Sequence, residues 1–317
     1  VKMKVTNLIL RCIMRKLIST IIVSTLLIGG CSTVHKEAKH SSQSIPEEVP
    51  ASQYKGQGFQ PVAEKSAIAH AKKHREEYEK LGEQFFKDNF SLNVKATNVV
   101  GSGDGVEVYV HCDDHDIVFN ASIPFDKEAI HEEGSMRSND NGDTMSNMVG
   151  TVLSGFEYKA QKEKYDNLTK FFKNNEEKYQ YTGFTKEAIH KTQNVGYQNE
   201  YYYLAGNVTN INNYRKYYEP LIKKDSKSFK EGMKKANEAT NFKAKVEVVS
   251  TLFSTKSDFT KNNSKKDLLF LSDDLYHYKE KPENTNITLQ LSEPKINSTR
   301  AFYDANNPLE YGVHKHE

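Results

Sequence analysis

The densest collection of reactive side chains in the sequence is the run His111-Cys112-Asp113-Asp114-His115-Asp116. Imidazole and thiolate are ligands for zinc or copper, and carboxylates are ligands for calcium. All six residues fall between two strand patterns, so one turn could close on one ion. A divalent metal is accordingly the one cofactor the sequence offers. The same residues could equally stay wet in a polar hairpin turn, because neither an EF-hand spacing nor a paired Cys-x-x-Cys accompanies them. His70 and His74 stand four apart on a helical pattern, but they lack the Glu of H-E-x-x-H and adjoin an apolar stripe, which points to packing. The segment "GSGDG" (101–105) leads into a strand, so its amides have no helix N-terminus with which to cradle phosphate. Ser52-Gln53-Tyr54-Lys55 fits S-x-x-K without its companion motifs. No G-x-S-x-G occurs, and no carboxylate pair can be fixed at glycosidase separation from spacing alone. Tyrosines gather at 201–203, Tyr214, Tyr217 and Tyr218; such a cluster suits either a contact surface or half-buried packing. No catalytic constellation emerges, and the expectation is a non-enzymatic protein.

A second chemical signal lies near the start. Arg15 and Lys16 precede an apolar run over 17–28, and Ile28-Gly29-Gly30-Cys31 closes it. Twelve helical residues reach about 18 Å, well short of the roughly 30 Å hydrocarbon core of a bilayer. Such a run fits the core of a secretory signal peptide better than a membrane span. The closing tetrad resembles a bacterial lipobox. That resemblance implies cleavage after Gly30 and a diacylglycerol on the Cys31 thiol, with two acyl chains supplying stable anchorage where one is marginal. The expected location is the outer face of the cell membrane, with the membrane as first partner. Residues 1–13 add nothing a signal peptide needs, and Met14 is expected as the true start.

The chain has 44 basic and 42 acidic residues, and the leader over 1–30 contains Lys2, Lys4, Arg11, Arg15, Lys16 and no acid. From Cys31 onward the chain is slightly acidic and carries no basic excess of the kind nucleic acid requires. Of three cysteines, Cys12 falls in the leader and Cys31 in the lipobox. Cys112 therefore has no internal disulfide partner, and the fold must rest on its core.

Composition and periodicity divide the chain into four segments. Residues 1–30 are extension and leader. Residues 31–60 hold the lipidated cysteine and a polar stretch, too poor in apolar residues to order itself, whose thirty residues would reach about 100 Å as a stretched tether. Residues 61–137 form an α-β-β-β unit: a helix over 62–90 with a stripe at Ala67, Ala71, His74, Tyr78, Leu81 and Phe85, then three alternating strands. Val106, Val108 and Val110 face one way with Ile117, Phe119, Ala121 and Ile123, and Glu107, Tyr109 and His111 the other, with Val110 opposite Ile117. Residues 138–317 read as a helix-rich α+β region, expected to form one globular unit with the preceding one. Within it lie a long helix to about residue 180, breakable at Gly150 or Gly155, then a short helix near 185–193 and a strand at 200–206. A helix over 211–239 interrupted by Pro220 comes next, with strands near 242–253 and 286–291. The echo of "FDKEAIH" (125–131) in "FTKEAIH" (184–190) predicts two helix starts capped by Asp126 and Thr185, or an internal duplication. The fold class is α+β: a helix on a three-stranded antiparallel meander, then a helix-rich half with further short strands.

The blocks "NVVGSGDGVEVYVHCDDHDIVFNASIP", "GTVLSGFEYKAQKEKYD", "YQYTGFTKEAIHKTQN" and "DANNPLEYGV" resemble a staphylococcal lipoprotein family of unknown function. The resemblance implies a lipid-anchored exported protein and brings no activity, ligand or catalytic residue. The leading expectation is a surface lipoprotein that binds an unidentified protein or small molecule. The alternatives are a transporter's solute-binding lipoprotein, which should show repeated strand–helix–strand alternation, and a metal-binding envelope protein built on residues 111–116.

Overall fold

The structure is a computed structural model that describes residues 46–301 and 308–313; the leader, Gly30 and Cys31 lie outside the described residues. It opens on a short strand, β1 (Glu48–Pro50), paired antiparallel with the late strand β10 (Lys295–Asn297). Over residues 48–60 this corrects the expected tether. Val49, Ala51, Tyr54 and Phe59 are all buried, and the Tyr54 hydroxyl donates to the Ser298 carbonyl at 2.8 Å. Average composition hid three well-spaced large apolar side chains, each of which finds a seat in the core. From Cys31 to Glu48 the chain can reach no more than about 60 Å.

The helix expected over 62–90 is two helices, α1 (Lys65–Lys73) and α2 (Arg75–Phe90), bent at His74 (φ −113°, ψ 33°). A straight rod cannot follow a twisted sheet along its length; the bend keeps both halves of the stripe on it. Ala67, Ala71, Tyr78 and Phe85 are buried as the spacing requires. Gly82 sets the approach of α2: a Cβ there would lie 2.7 Å from Val108 Cγ1.

The meander is present: β2 (Val94–Ser102), β3 (Gly105–Cys112) and β4 (Phe119–Phe125) pair antiparallel in that order. "GSGDG" is the β2–β3 hairpin turn, and Gly103 at its tip takes φ +59°. The β3–β4 register differs from the expected one. Val110 stands opposite Ala121, Cys112 opposite Phe119, and Ile117 lies in the connecting turn. The displacement is an even number of residues, so every side chain keeps its expected face. A bulge between Ala96 and Asn98 does reverse the alternation of β2, and Val99 takes over the inward side. The other face is also covered: Tyr109, expected to point away from the core, is 1% exposed under Phe59 and Ile189.

The next long helix divides into α3 (Asp143–Ala160) and α4 (Lys162–Asn174), with a further helical turn at Glu176–Tyr179. The break falls at Gln161 (φ −125°, ψ 32°), not at Gly150 or Gly155. It lies where the apolar stripe changes core: Val149, Val152 and Phe156 pack with α2 and the meander, whereas Tyr158, Tyr165 and Leu168 pack elsewhere. After the two-residue strand β5 (Tyr181–Thr182), helix α5 (Lys186–Thr192) carries the second echo heptad with Thr185 capping the Ala188 amide; the first forms a 3-10 helix, Lys127–His131, capped by Asp126. Both starts are helical, but their partners differ: the first follows β4 and packs against α2, whereas α5 lies against β2 and β3.

Strand β6 (Tyr202–Ala205) comes next, and Pro220 interrupts the region beyond it, which runs through irregular helical turns over 211–221 before α6 (Ser226–Ala239). Strands β7 (Val246–Ser250) and β8 (Leu252–Ser254) precede α7 (Lys261–His277), whose start is a capping box of Thr260 and Asn263. Strand β9 (Thr285–Ser292) then runs parallel to β7 and β8 and antiparallel to β11 (Leu309–Gly312); β6 pairs with β7, and β5 with β8. This mixed sheet has six strands. Its core is rich in tyrosine: Tyr158, Tyr165, Tyr197, Tyr201 and Tyr202 are buried together. Of the two readings of the tyrosine cluster, packing holds at Tyr201, Tyr202, Tyr203, Tyr214 and Tyr218, all of which are buried. No helix among the described residues is long and apolar enough to cross a membrane.

Candidate functional site

The structure disperses the six candidate ligands. His111 is the penultimate residue of β3 and lies on the outer face of the meander. Its ring stacks on His190 of α5, with centroids 3.9 Å apart and planes 23° apart, and its Nδ1 lies 3.0 Å from Asn120 Oδ1. Cys112 alternates to the inner face and is fully buried. Its thiol faces the Asn93 carbonyl, and burial pushes its pKa up to about 12, so it is a protonated core side chain. Asp113 is exposed. Asp114 Oδ2 accepts from both the backbone and the side-chain amide of Asn93 at 2.9 Å. His115 Nε2 lies 3.7 Å from Asp114 Oδ1, and His115 and Asp116 border the same cavity. Among the described residues no group of three or more His, Cys, Asp and Glu side chains is gathered as a metal ion would need. Strand alternation is the reason: adjacent residues at a strand end point to opposite sides.

The turn ends on a conformational anomaly. His115 and Asp116 both take left-handed backbone angles, φ +52° and +61°. Such angles are disfavoured for residues other than glycine, less so for Asp and His than for most. The pair borders a concave space of about 260 Å³ whose other walls come from the α3–α4 junction and the start of α6. Lys159 and Lys162 supply one wall, Ile222, Lys223 and Lys224 the second, and Asp225 and Ser226 the rim.

Each charge has a distinct environment. Lys159 is half-buried. Its ammonium donates to the Ile222 carbonyl at 3.1 Å and lies 4.3 Å over the Phe229 ring. Burial lowers its pKa, and Asp116 and Asp114 pull in the opposite direction. Lys162 pairs with Asp166 at 2.7 Å, which holds its pKa up. Asp225 caps α6, accepting from the amides of Lys227 and Ser228 and from the Ser228 hydroxyl; those bonds hold its carboxyl below the usual range. Lys223 and Lys224 are exposed and form no ion pair among the described residues.

Sequence reasoning reached His115 and Asp116 and missed the four lysines. The available signal was slight: a Lys-Lys pair directly before the Asp225-Ser226 helix start. Nothing in the spacing joins residue 116 to 159 or 223. The remaining sequence candidates are structural. His70 contacts the Tyr78 hydroxyl at 3.1 Å and His74 contacts Glu77 at 3.3 Å. In "GSGDG", Gly103 bonds Val62 and Glu64 through its backbone.

The profile of a family described as "Protein of unknown function (DUF1672)" matches residues 41–317. The fold is similar to the 1.80 Å crystal structure of a DUF1672 family protein from Staphylococcus aureus subsp. aureus Mu50. The two are 55% identical with a TM-score of 0.83, over 86% of this chain and 100% of that chain. No curated protein matches the chain.

Proposed function

The chain belongs to the DUF1672 family, whose function is not established, and we propose that it is a non-enzymatic binding protein held on the outer face of the cell membrane by a lipid on Cys31. Its ligand seat is the cavity beside the 111–116 turn. The lipobox-like Ile28-Gly29-Gly30-Cys31 supports the anchor. The observation that carries the seat is the strained pair His115 and Asp116 set over a concave, lysine-walled surface. Strain of this kind is retained where it positions groups for a ligand, and glycine at either position would remove it at no steric cost. No second reading is favoured by a comparable observation.

The test uses the mature chain with Cys31→Ser, which cannot be acylated, labelled with ¹⁵N and titrated with small molecules extracted from the cell envelope. The reading predicts amide shifts concentrated at residues 114–116 and 222–226. Shifts elsewhere, or none at saturating extract, would refute the seat.

A further inference from the structure

From the character of the cavity walls we infer that the ligand of this seat is a phosphate-bearing group, an inference that rests on the seat proposed above. Four lysines, two aspartates and one histidine line the space. The opposition is weaker than that count suggests. Asp225 is engaged by two backbone amides and a hydroxyl as the cap of a fourteen-residue helix, so the helix end already neutralises much of its charge. Among the lining residues Asp116 is then the one carboxylate not so engaged, and Asp114 also acts on Lys159.

Lys159 is the centre of the argument. Its ammonium is held in place by a carbonyl and an aromatic face, half-removed from water, and forms no ion pair among the described residues. A cation with reduced hydration and no close counter-ion gains most from an arriving anion. Lys223 and Lys224 line the same space with no ion pair among the described residues, whereas Lys162 would have to share its charge with Asp166.

The type of cation selects the type of anion. The lining contains no arginine, the side chain whose planar fork matches a carboxylate through two parallel bonds. Lysine acts as a point charge with freely directed donors. Several such charges arranged around a space favour a compact anion that carries more than one negative charge and oxygens in several directions. A phosphate group has that form and a carboxylate does not. The volume of about 260 Å³ falls just below the roughly 300–1,000 Å³ typical of small-molecule sites, which suits a phosphate or a phosphorylated head group. Two sources share this chemistry: free phosphate compounds, and the head groups of anionic phospholipids.

The experiment titrates the mature Cys31→Ser chain with inorganic phosphate by calorimetry and ¹⁵N shifts. Sodium acetate at equal ionic strength is the control. Vesicles of phosphatidylglycerol or of phosphatidylcholine are tested in parallel. Saturable phosphate binding is expected, with shifts at 115–116 and 222–226 and a weakening of about tenfold or more in Lys223→Glu/Lys224→Glu. Both lysines are exposed, so that variant should melt as the parent does; Lys223→Gln/Lys224→Gln replaces it if it does not. Phosphate binding that phosphatidylglycerol vesicles displace assigns the source to lipid; phosphate binding that they leave untouched assigns it to soluble compounds. No saturable binding of phosphate or phosphatidylglycerol overturns the inference, as does binding that neither lysine variant weakens or that acetate equals. If envelope extract shifts the cavity amides and phosphate does not displace it, the phosphate assignment falls and the seat survives. If no probe shifts those amides, both fall.

Discussion

In the meander each strand pairs antiparallel with its sequence neighbour across a short turn, whereas the central strand of the mixed sheet, β9, lies parallel to β7 and β8 and is reached only through α7. The cores differ as well. The first is built from phenylalanine and aliphatic side chains such as Phe86, Phe90, Val108 and Val110. The second contains stacked tyrosines, with Tyr158 and Tyr197 centroids 4.1 Å apart, whose hydroxyls must find acceptors. The first core also buries Tyr78, Tyr214 and Tyr218, with the Tyr214 hydroxyl donating to the Phe90 carbonyl at 2.8 Å, but its bulk is apolar; the second packs tyrosine against tyrosine and so depends more heavily on buried polar contacts that must all be satisfied. Helix α3 joins the two, placing Phe156 in one core and Tyr158 in the other.

The comparison can be broken most sharply in the first core. Phe86→Ala removes a fully buried ring and should cost about 3–5 kcal/mol. Urea unfolding followed by circular dichroism and by tyrosine fluorescence should still give one coincident transition, because α3 is shared. Separate transitions would show that the halves fold independently. Tyr202→Phe tests the second core. It removes a hydroxyl that donates to the Tyr165 carbonyl at 2.8 Å and should cost about 1 kcal/mol. A loss as large as that of Phe86→Ala would mean that the polar network, not the apolar core, dominates the second half.

The contact between the halves is sensitive to pH. Burial, then the neighbouring His111 ring, lowers the His190 pKa to about 4 from 6.5. The folded state therefore holds this ring neutral where the unfolded chain protonates it. Its contribution to stability is complete above about pH 6.5 and is lost as pH falls toward 4. The melting temperature should drop across that window, and His190→Phe, which retains a ring against His111, should flatten the drop. An unchanged slope would remove His190 from the account. The smallest effect is expected at the turn. Asp116→Gly relieves a left-handed non-glycine residue and should raise stability by up to about 1 kcal/mol while weakening ligand binding. A loss of stability would mean that the turn is not strained.

Legibility in the sequence divides along the same line. The facing of Val106, Val108 and Val110 was readable, because a period of two survives an error in register. The register itself was not, because the β3–β4 turn ends in two left-handed residues, His115 and Asp116, that no composition signal marks. The caps at Asp126 and Thr185 were readable from local chemistry. The mixed sheet was not, since Val248 opposite Ile287 is a pairing that local sequence does not encode. Burial of Tyr54 was hidden by its polar neighbours. The cavity was hidden most completely, because its walls come from three distant segments and only one of them looked reactive.

The mass of the native protein's N-terminus tests the central claim most directly. Purified from envelope, the chain should begin at Cys31 and carry a diacylglyceryl group on its sulfur. A chain that begins upstream of Cys31, or one whose Cys31 lacks acyl mass, would contradict the anchored reading.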